Sequence, residues 1–118
     1  MSTAGVRKPT TRVVHLKRKN DDVVQDCDVY IGRAVMYGGW NLTKSKWANP
    51  FKVGQKGMKT PKHVAAAYEK HVRDNKNLME SLQELTGKRL GCWCYPKPCH
   101  GNVLIKLLKE QENKLHFV

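Results

Sequence analysis

The chain has 118 residues, with 22 Lys and Arg against 10 Asp and Glu, a formal net charge of +12. That length builds one hydrophobic core, and no apolar run approaches the ~20 residues a membrane-spanning helix needs. Residues 1–12 lack the apolar stretch of a secretory signal, so an intracellular location, cytoplasmic or nuclear, is expected, where thiols stay reduced.

Residues 1–11 combine Gly5, Pro9 and several Ser and Thr with Arg7 and Lys8, and read as a flexible basic arm. Arg12-Val-Val-His-Leu16 and Asp28-Val-Tyr-Ile-Gly32 are rich in β-formers and are predicted as the first two strands. Residues 33–59 hold six Gly and Asn around Trp40, Trp47 and Phe51, the composition of a long irregular loop. Thr60-Pro61 opens a helix with a hydroxyl cap and a proline at the first helical position. Val64, Tyr68 and Val72 continue it at helical spacing. A second helix is expected from about Leu78 to Leu85, stopped by Gly87, then a third strand over Lys88–Trp93. Asn102–Lys109 forms a third helix with Val103, Leu104, Leu107 and Leu108 inward, and residues 113–118 read as a tail. Strands alternating with helices argue for an α/β fold. The expected architecture is one small domain over residues 12–112, a short, mostly parallel sheet of three or four strands flanked by three helices, with the long loop after the second strand.

The charge is unevenly placed. Arg7, Lys8, Arg12, Lys17, Arg18 and Lys19 stand in the first twenty residues without an acid, and Asp21, Asp22, Asp26 and Asp28 follow. From Val29 through Tyr68 there is again no acid, against Arg33, Lys44, Lys46, Lys52, Lys56, Lys59 and Lys62. Such a field concentrates polyanions, so nucleic acid or a nucleotide is the expected partner. Tyr30, Tyr37, Trp40, Trp47 and Phe51 interleave with Arg33, Lys44, Lys46 and Lys52. Aromatic faces stack on bases while cations hold phosphates, although Trp47 and Phe51 equally suit anchoring the loop on the core. Arg33 follows a glycine at the end of a strand, where α/β sheets place ligands; its plainer role is an ion pair with Asp28 or another acid.

Three of the four cysteines fall in Leu90-Gly-Cys-Trp-Cys-Tyr-Pro-Lys-Pro-Cys-His-Gly101. Cys92 and Cys94 face one side of a regular strand, and a Pro-bracketed turn can return Cys99 to them, the arrangement of a zinc site with Cys27 or His100 as fourth ligand. Alternatively, Cys99 and His100 open the last helix, where free amides attract anions and activate thiols, and they form a nucleophile and base. The Gly101 and Asn102 amides there also suit a phosphate. The plain reading of the same cysteines is buried packing.

Val29-Tyr-Ile-Gly-Arg33, Trp47-Ala-Asn-Pro-Phe51, Tyr68 and the Cys-Trp-Cys…Cys-His-Gly segment together resemble a family of small proteins with a domain of unknown function, found in bacteria, phages and large viruses. The resemblance covers roughly residues 12–109, and the tract from Met36 to Lys46 looks like a spacer of this chain. It implies an α/β fold and one pocket shared by Arg33, Asn49, Cys92, Cys94, Cys99 and His100. Three functions are carried forward. The first is a nucleic-acid-binding protein with a Cys/His site that holds zinc, using Arg12, Lys17, Arg18, Lys19, Arg33, Lys44, Lys46, Trp47, Asn49, Lys52, Gly101 and Asn102. The second is an enzyme acting on a nucleotide or nucleic acid through Cys99 and His100 or a metal-bound water. The third is a protein–protein adaptor with a basic face.

Overall fold

The computed structural model describes residues 10–54, 57–93 and 99–116, with side chains through residue 113. Its organising element is a central strand, β5 (Arg89–Cys92), flanked on one side by β1 (Arg12–His15) and on the other by β4 (Val29–Tyr30), all parallel. Val13 and Val29 both stand in register with Leu90, and Val14 and Tyr30 both with Gly91. Because side chains alternate along a strand, Val13, Val29, Leu90 and Cys92 share one face, and Gly91 points to the other.

The helices pack on the first face. α1 (Pro61–Arg73) has Thr60 as its N-cap, whose hydroxyl accepts from the His63 amide, and Pro61 at its start. Tyr68 and Val72 are its buried residues. α2 (Lys76–Ser81) is capped by Asn75 and runs into a 3₁₀ turn, Leu82–Leu85. The helix expected over 78–85 thus begins earlier and tightens in its last turn. Leu82 and Leu85 are fully buried, as Leu104, Leu107 and Leu108 of α3 (His100–His116) nearly are. Each such side chain stabilises the fold by about 1.5–3 kcal/mol relative to exposure. α3 is longer than the expected 102–109, beginning at His100 and continuing into residues read as a tail.

The hairpin of β2 (Lys17–Lys19) and β3 (Asp22–Gln25) is the element the sequence reading missed. Asn20 and Asp21 both adopt positive φ, 51° and 68°, the backbone of a two-residue turn that suits Asn and Asp. Lys17, Arg18 and Lys19, read from the sequence only as phosphate-binding candidates, form the first strand of this hairpin. The fold is mixed α/β, a three-stranded parallel sheet with three helices and a separate antiparallel pair. Among the described residues no helix is long and apolar enough to cross a membrane.

Candidate functional site

Parallel strands end together, so the segments leaving β4 and β5 meet at one edge of the sheet, and α3 starts at that edge. Ligands of α/β proteins bind at such carboxyl ends. Gly32 and Arg33 follow β4, Trp93 follows β5, and Cys99 and His100 open α3; with Phe51, Lys52 and Val64 they enclose a cleft of about 420 Å³.

The start of α3 is seated tightly. A Cβ on Gly101 would stand 2.6 Å from Val13 Cγ2 and 2.9 Å from Ile31 Cδ1, so glycine lets the helix touch the sheet. This contact delivers His100 to the end of β4, where its Nε2 lies 2.6 Å from the Ile31 carbonyl. A carbonyl only accepts, so Nε2 carries the proton and Nδ1 is left with its lone pair. Nδ1 lies 3.7 Å from Cys99 Sγ, and that sulfur lies 3.1 Å from Cys92 Sγ. Burial pushes the His100 imidazole below its ordinary pKa and the nearby Arg33 charge adds to this, while the Ile31 hydrogen bond and Cys92 oppose it. The lowered pKa favours the neutral ring, with Nδ1 as a base. Tyr68 packs against it, ring centroids 5.0 Å apart, with its hydroxyl donating to the Trp47 carbonyl at 2.6 Å. Burial pushes that phenol's pKa up, keeping it a donor.

Arg33 supplies the positive rim. It donates to the Asn49 carbonyl at 3.2 Å, and Asn49 Oδ1 accepts from the Phe51 amide at 2.9 Å, which holds the loop against the strand end. The ion pair between Arg33 and Asp28 is not formed: Asp28 bonds Arg89 through both carboxylate oxygens, at 3.2 Å each. Among the described residues, six of the ten carboxylates pair with Lys or Arg, and none lines the cleft. The cleft thus joins cations to an apolar and aromatic wall.

The other sequence candidates divide. Asn49, Lys52, Cys92, Cys99 and His100 join Arg33 in the cleft. Trp47 does not: at 1 % exposure it belongs to the core, because its carbonyl and ring are tied down by Tyr68 and Lys46, and it cannot stack on a base. Lys46 is paired with Glu84 at 2.5 Å. Arg12 lies at the amino end of β1, the far end of the sheet from the cleft. Lys44 is exposed on the loop. The Gly101 and Asn102 amides are already used, donating to Cys99 Sγ at 3.4 Å and to the Cys99 carbonyl at 2.9 Å, so they are not an open phosphate cradle. Cys27 is excluded from the cysteine cluster by the sheet itself. A Cβ on Gly91 would meet Cys27 Sγ at 2.5 Å, so Cys27 packs on the face opposite Cys92. Burial and then Asp26 push its thiol pKa up. Cys94 lies outside the described residues. Among those described, no three His, Cys, Asp or Glu side chains converge as a metal site.

Sequence reading missed Val35 and Trp93 as cleft residues, while Tyr30 and Trp40, two of its stacking candidates, respectively line the cleft and stand beside it. Trp93 Nε1 donates to the Tyr30 hydroxyl at 2.8 Å, and that hydroxyl bonds the Arg33 carbonyl at 2.5 Å. The spacer tract is folded: Val35 and Leu42 form an antiparallel bridge around Gly38 and Gly39, both at positive φ. The Gly-Gly pair between two apolar residues was the available signal.

The fold and cleft define a small α/β protein with a cationic, aromatic cleft at the strand ends. Residues 14–110 match the family described as Domain of unknown function (DUF4326), and the chain belongs to that family. It is similar to an uncharacterized protein of Acanthamoeba polyphaga mimivirus, 44 % identical over 105 residues that span 82 % of this chain and 78 % of that protein. A shorter likeness, 52 % identity over 27 residues, covers 23 % of this chain and 25 % of an uncharacterized 12.4 kDa protein in the nrdA-td intergenic region of Enterobacteria phage T4. No solved structure matches.

Proposed function

We propose that the protein binds a nucleotide unit, free or within a nucleic acid, in the cleft at the ends of β4 and β5. The supporting observation is the cleft's composition: Arg33 and Lys52 at an acid-free rim, and Tyr30, Phe51 and Trp93 on the walls. A guanidinium binds phosphate oxygens in a fork, and aromatic faces take bases. Titration of the protein with adenosine monophosphate and short oligonucleotides tests it. Binding that weakens steeply with salt and drops about tenfold or more in Arg33→Ala is the expected result. Binding indifferent to both salt and Arg33 contradicts it.

A second reading, catalysis on the bound nucleotide, is favoured by one further observation. Cys99 Sγ lies beside the unprotonated Nδ1 of a neutral His100, at the start of a helix whose Gly101 amide donates to the sulfur. In this reading His100 Nδ1 takes the Cys99 thiol proton and leaves a thiolate facing the cleft. A zinc ion instead of a nucleophile would draw on Cys92, Cys99 and Cys94. Two thiolates on tetrahedral zinc stand about 3.8 Å apart, wider than the 3.1 Å between Cys92 and Cys99. Nucleotide-protected alkylation of Cys99 supports the catalytic reading; one bound zinc per chain supports the metal.

A further inference from the structure

The cleft does not end at Trp93. The ring of Trp40 meets Trp93 edge to face, with centroids 5.4 Å apart and planes at 81°. The Arg18 guanidinium lies 5.5 Å from the Trp40 ring centroid, within cation–π range. Gly39 makes room for it, since a Cβ there would stand 2.9 Å from Arg18 Cζ. Arg18 is held by the Asp21 carbonyl at 2.6 Å rather than by a carboxylate. The bridged excursion from Val35 to Leu42 therefore does two things: Val35 lines the cleft, and Trp40 extends its aromatic wall outward. Beyond Trp40, at the tip, Tyr37 is 77 % exposed, a large ring that the core does not use.

We infer that the excursion at 35–42 is a stacking track for single-stranded nucleic acid, seating the base next to the nucleotide held in the cleft. The inference rests on the cleft reading and names its ligand as a polymer rather than a free nucleotide. Three features select that polymer. Tyr37 and Trp93 are exposed and Trp40 is partly so, leaving ring surface for an unpaired base, whereas a duplex keeps its base faces stacked internally. Arg18 lies against Trp40 and Arg33 lines the cleft, so a cation for phosphate stands beside each part of the track. No acid occurs in the chain from Val29 through Tyr68, the stretch that supplies Tyr37, Trp40 and Arg33.

The test compares four probes on the full chain: adenosine monophosphate, a short single-stranded adenosine oligomer made as DNA and as RNA, and the DNA oligomer paired in a duplex. The expected result is that at least one single strand binds about tenfold or more tighter than the monophosphate, the gain typical of stacking one added base, and tighter than the duplex. Whichever of DNA and RNA shows the gain names the polymer. Tyr37→Ala, whose exposed ring cannot disturb the core, is expected to lose several-fold of that gain; Trp40→Ala is expected to lose most of it. In Tyr37→Ala the monophosphate still binds as in the parent. The inference is overturned if oligomer and monophosphate bind equally, if the duplex binds as well as the single strand, or if both variants keep the full gain. If the monophosphate binds and the oligomer gains nothing, the track fails and the cleft reading stands. If no probe binds, the cleft reading falls with it.

Discussion

Gly101→Ala tests whether the start of α3 is pressed onto the sheet. The added methyl would stand 2.6 Å from Val13 Cγ2 and 2.9 Å from Ile31 Cδ1. Val13 is β-branched and stiff at χ1, so the helix start must retreat, taking His100 away from the Ile31 carbonyl. Overpacking of this kind costs about 1–3 kcal/mol. Alanine gains at most about 1 kcal/mol over glycine in helix propensity, so the net expectation is a loss of about 1–2 kcal/mol. For a domain of this size each kcal/mol lowers the Tm by about 4 °C. Thermal and urea unfolding of Gly101→Ala, Val13→Ala and the double variant measure it. The double variant is expected to recover about 1 kcal/mol relative to additivity, because Val13→Ala removes the nearest obstructing atom. A Gly101→Ala protein that is more stable than the parent would refute the reasoning, since only the propensity gain would then be felt.

Tyr68→Phe removes the donor to the buried Trp47 carbonyl and should cost about 1–3 kcal/mol in urea unfolding; an unchanged midpoint would mean that water satisfies that carbonyl. Leu104→Ala empties a fully buried position between α3 and the sheet and is expected to cost about 2–5 kcal/mol, with a loss under 1 kcal/mol contradicting the packing. The Asp28 carboxyl is held below its ordinary pKa by hydrogen bonds from the Arg89 side chain and amide. A lowered folded pKa contributes stability that is present above the unfolded carboxylate pKa and lost as pH falls through the folded one. Asp28→Asn should therefore flatten part of the acid side of the stability profile, and an unaltered profile would remove the pair from that account. In elemental mass spectrometry of untagged protein purified under reducing conditions, the thiol reading expects well below one zinc per chain; one zinc per chain would replace it with the metal.

The sheet and helices were legible because each carries a local signature. Thr60-Pro61 marks a helix start, and the leucines of α3 recur at its period. The β-rich runs around Val13, Val29 and Leu90 are bounded by turn residues. The hairpin at 17–25 was not legible, since Lys17-Arg-Lys19 has no apolar alternation and its only cue is the Asn20-Asp21 turn. For the site, the residue set was readable and its partition was not. Which face a cysteine takes is not fixed by strand alternation alone: counting back from Val29 would put Cys27 on the Cys92 side, but Cys27 lies outside β4, before a bend at Asp28, and packs against Gly91 on the opposite face. Trp47 and Trp40 look alike in sequence; the Tyr68 hydroxyl draws one into the core, and the Gly38-Gly39 turn swings the other onto Trp93.

The three tryptophans offer the most direct measurement of the central claim, because their indole N–H signals report three different places. In a titration with single-stranded oligonucleotide followed by NMR, Trp93 in the cleft and Trp40 beside it are expected to shift. Trp47, at 1 % exposure in the core, is expected to stay still. Binding that leaves Trp93 unmoved while signals elsewhere shift would place the nucleic acid away from the cleft and contradict the proposal.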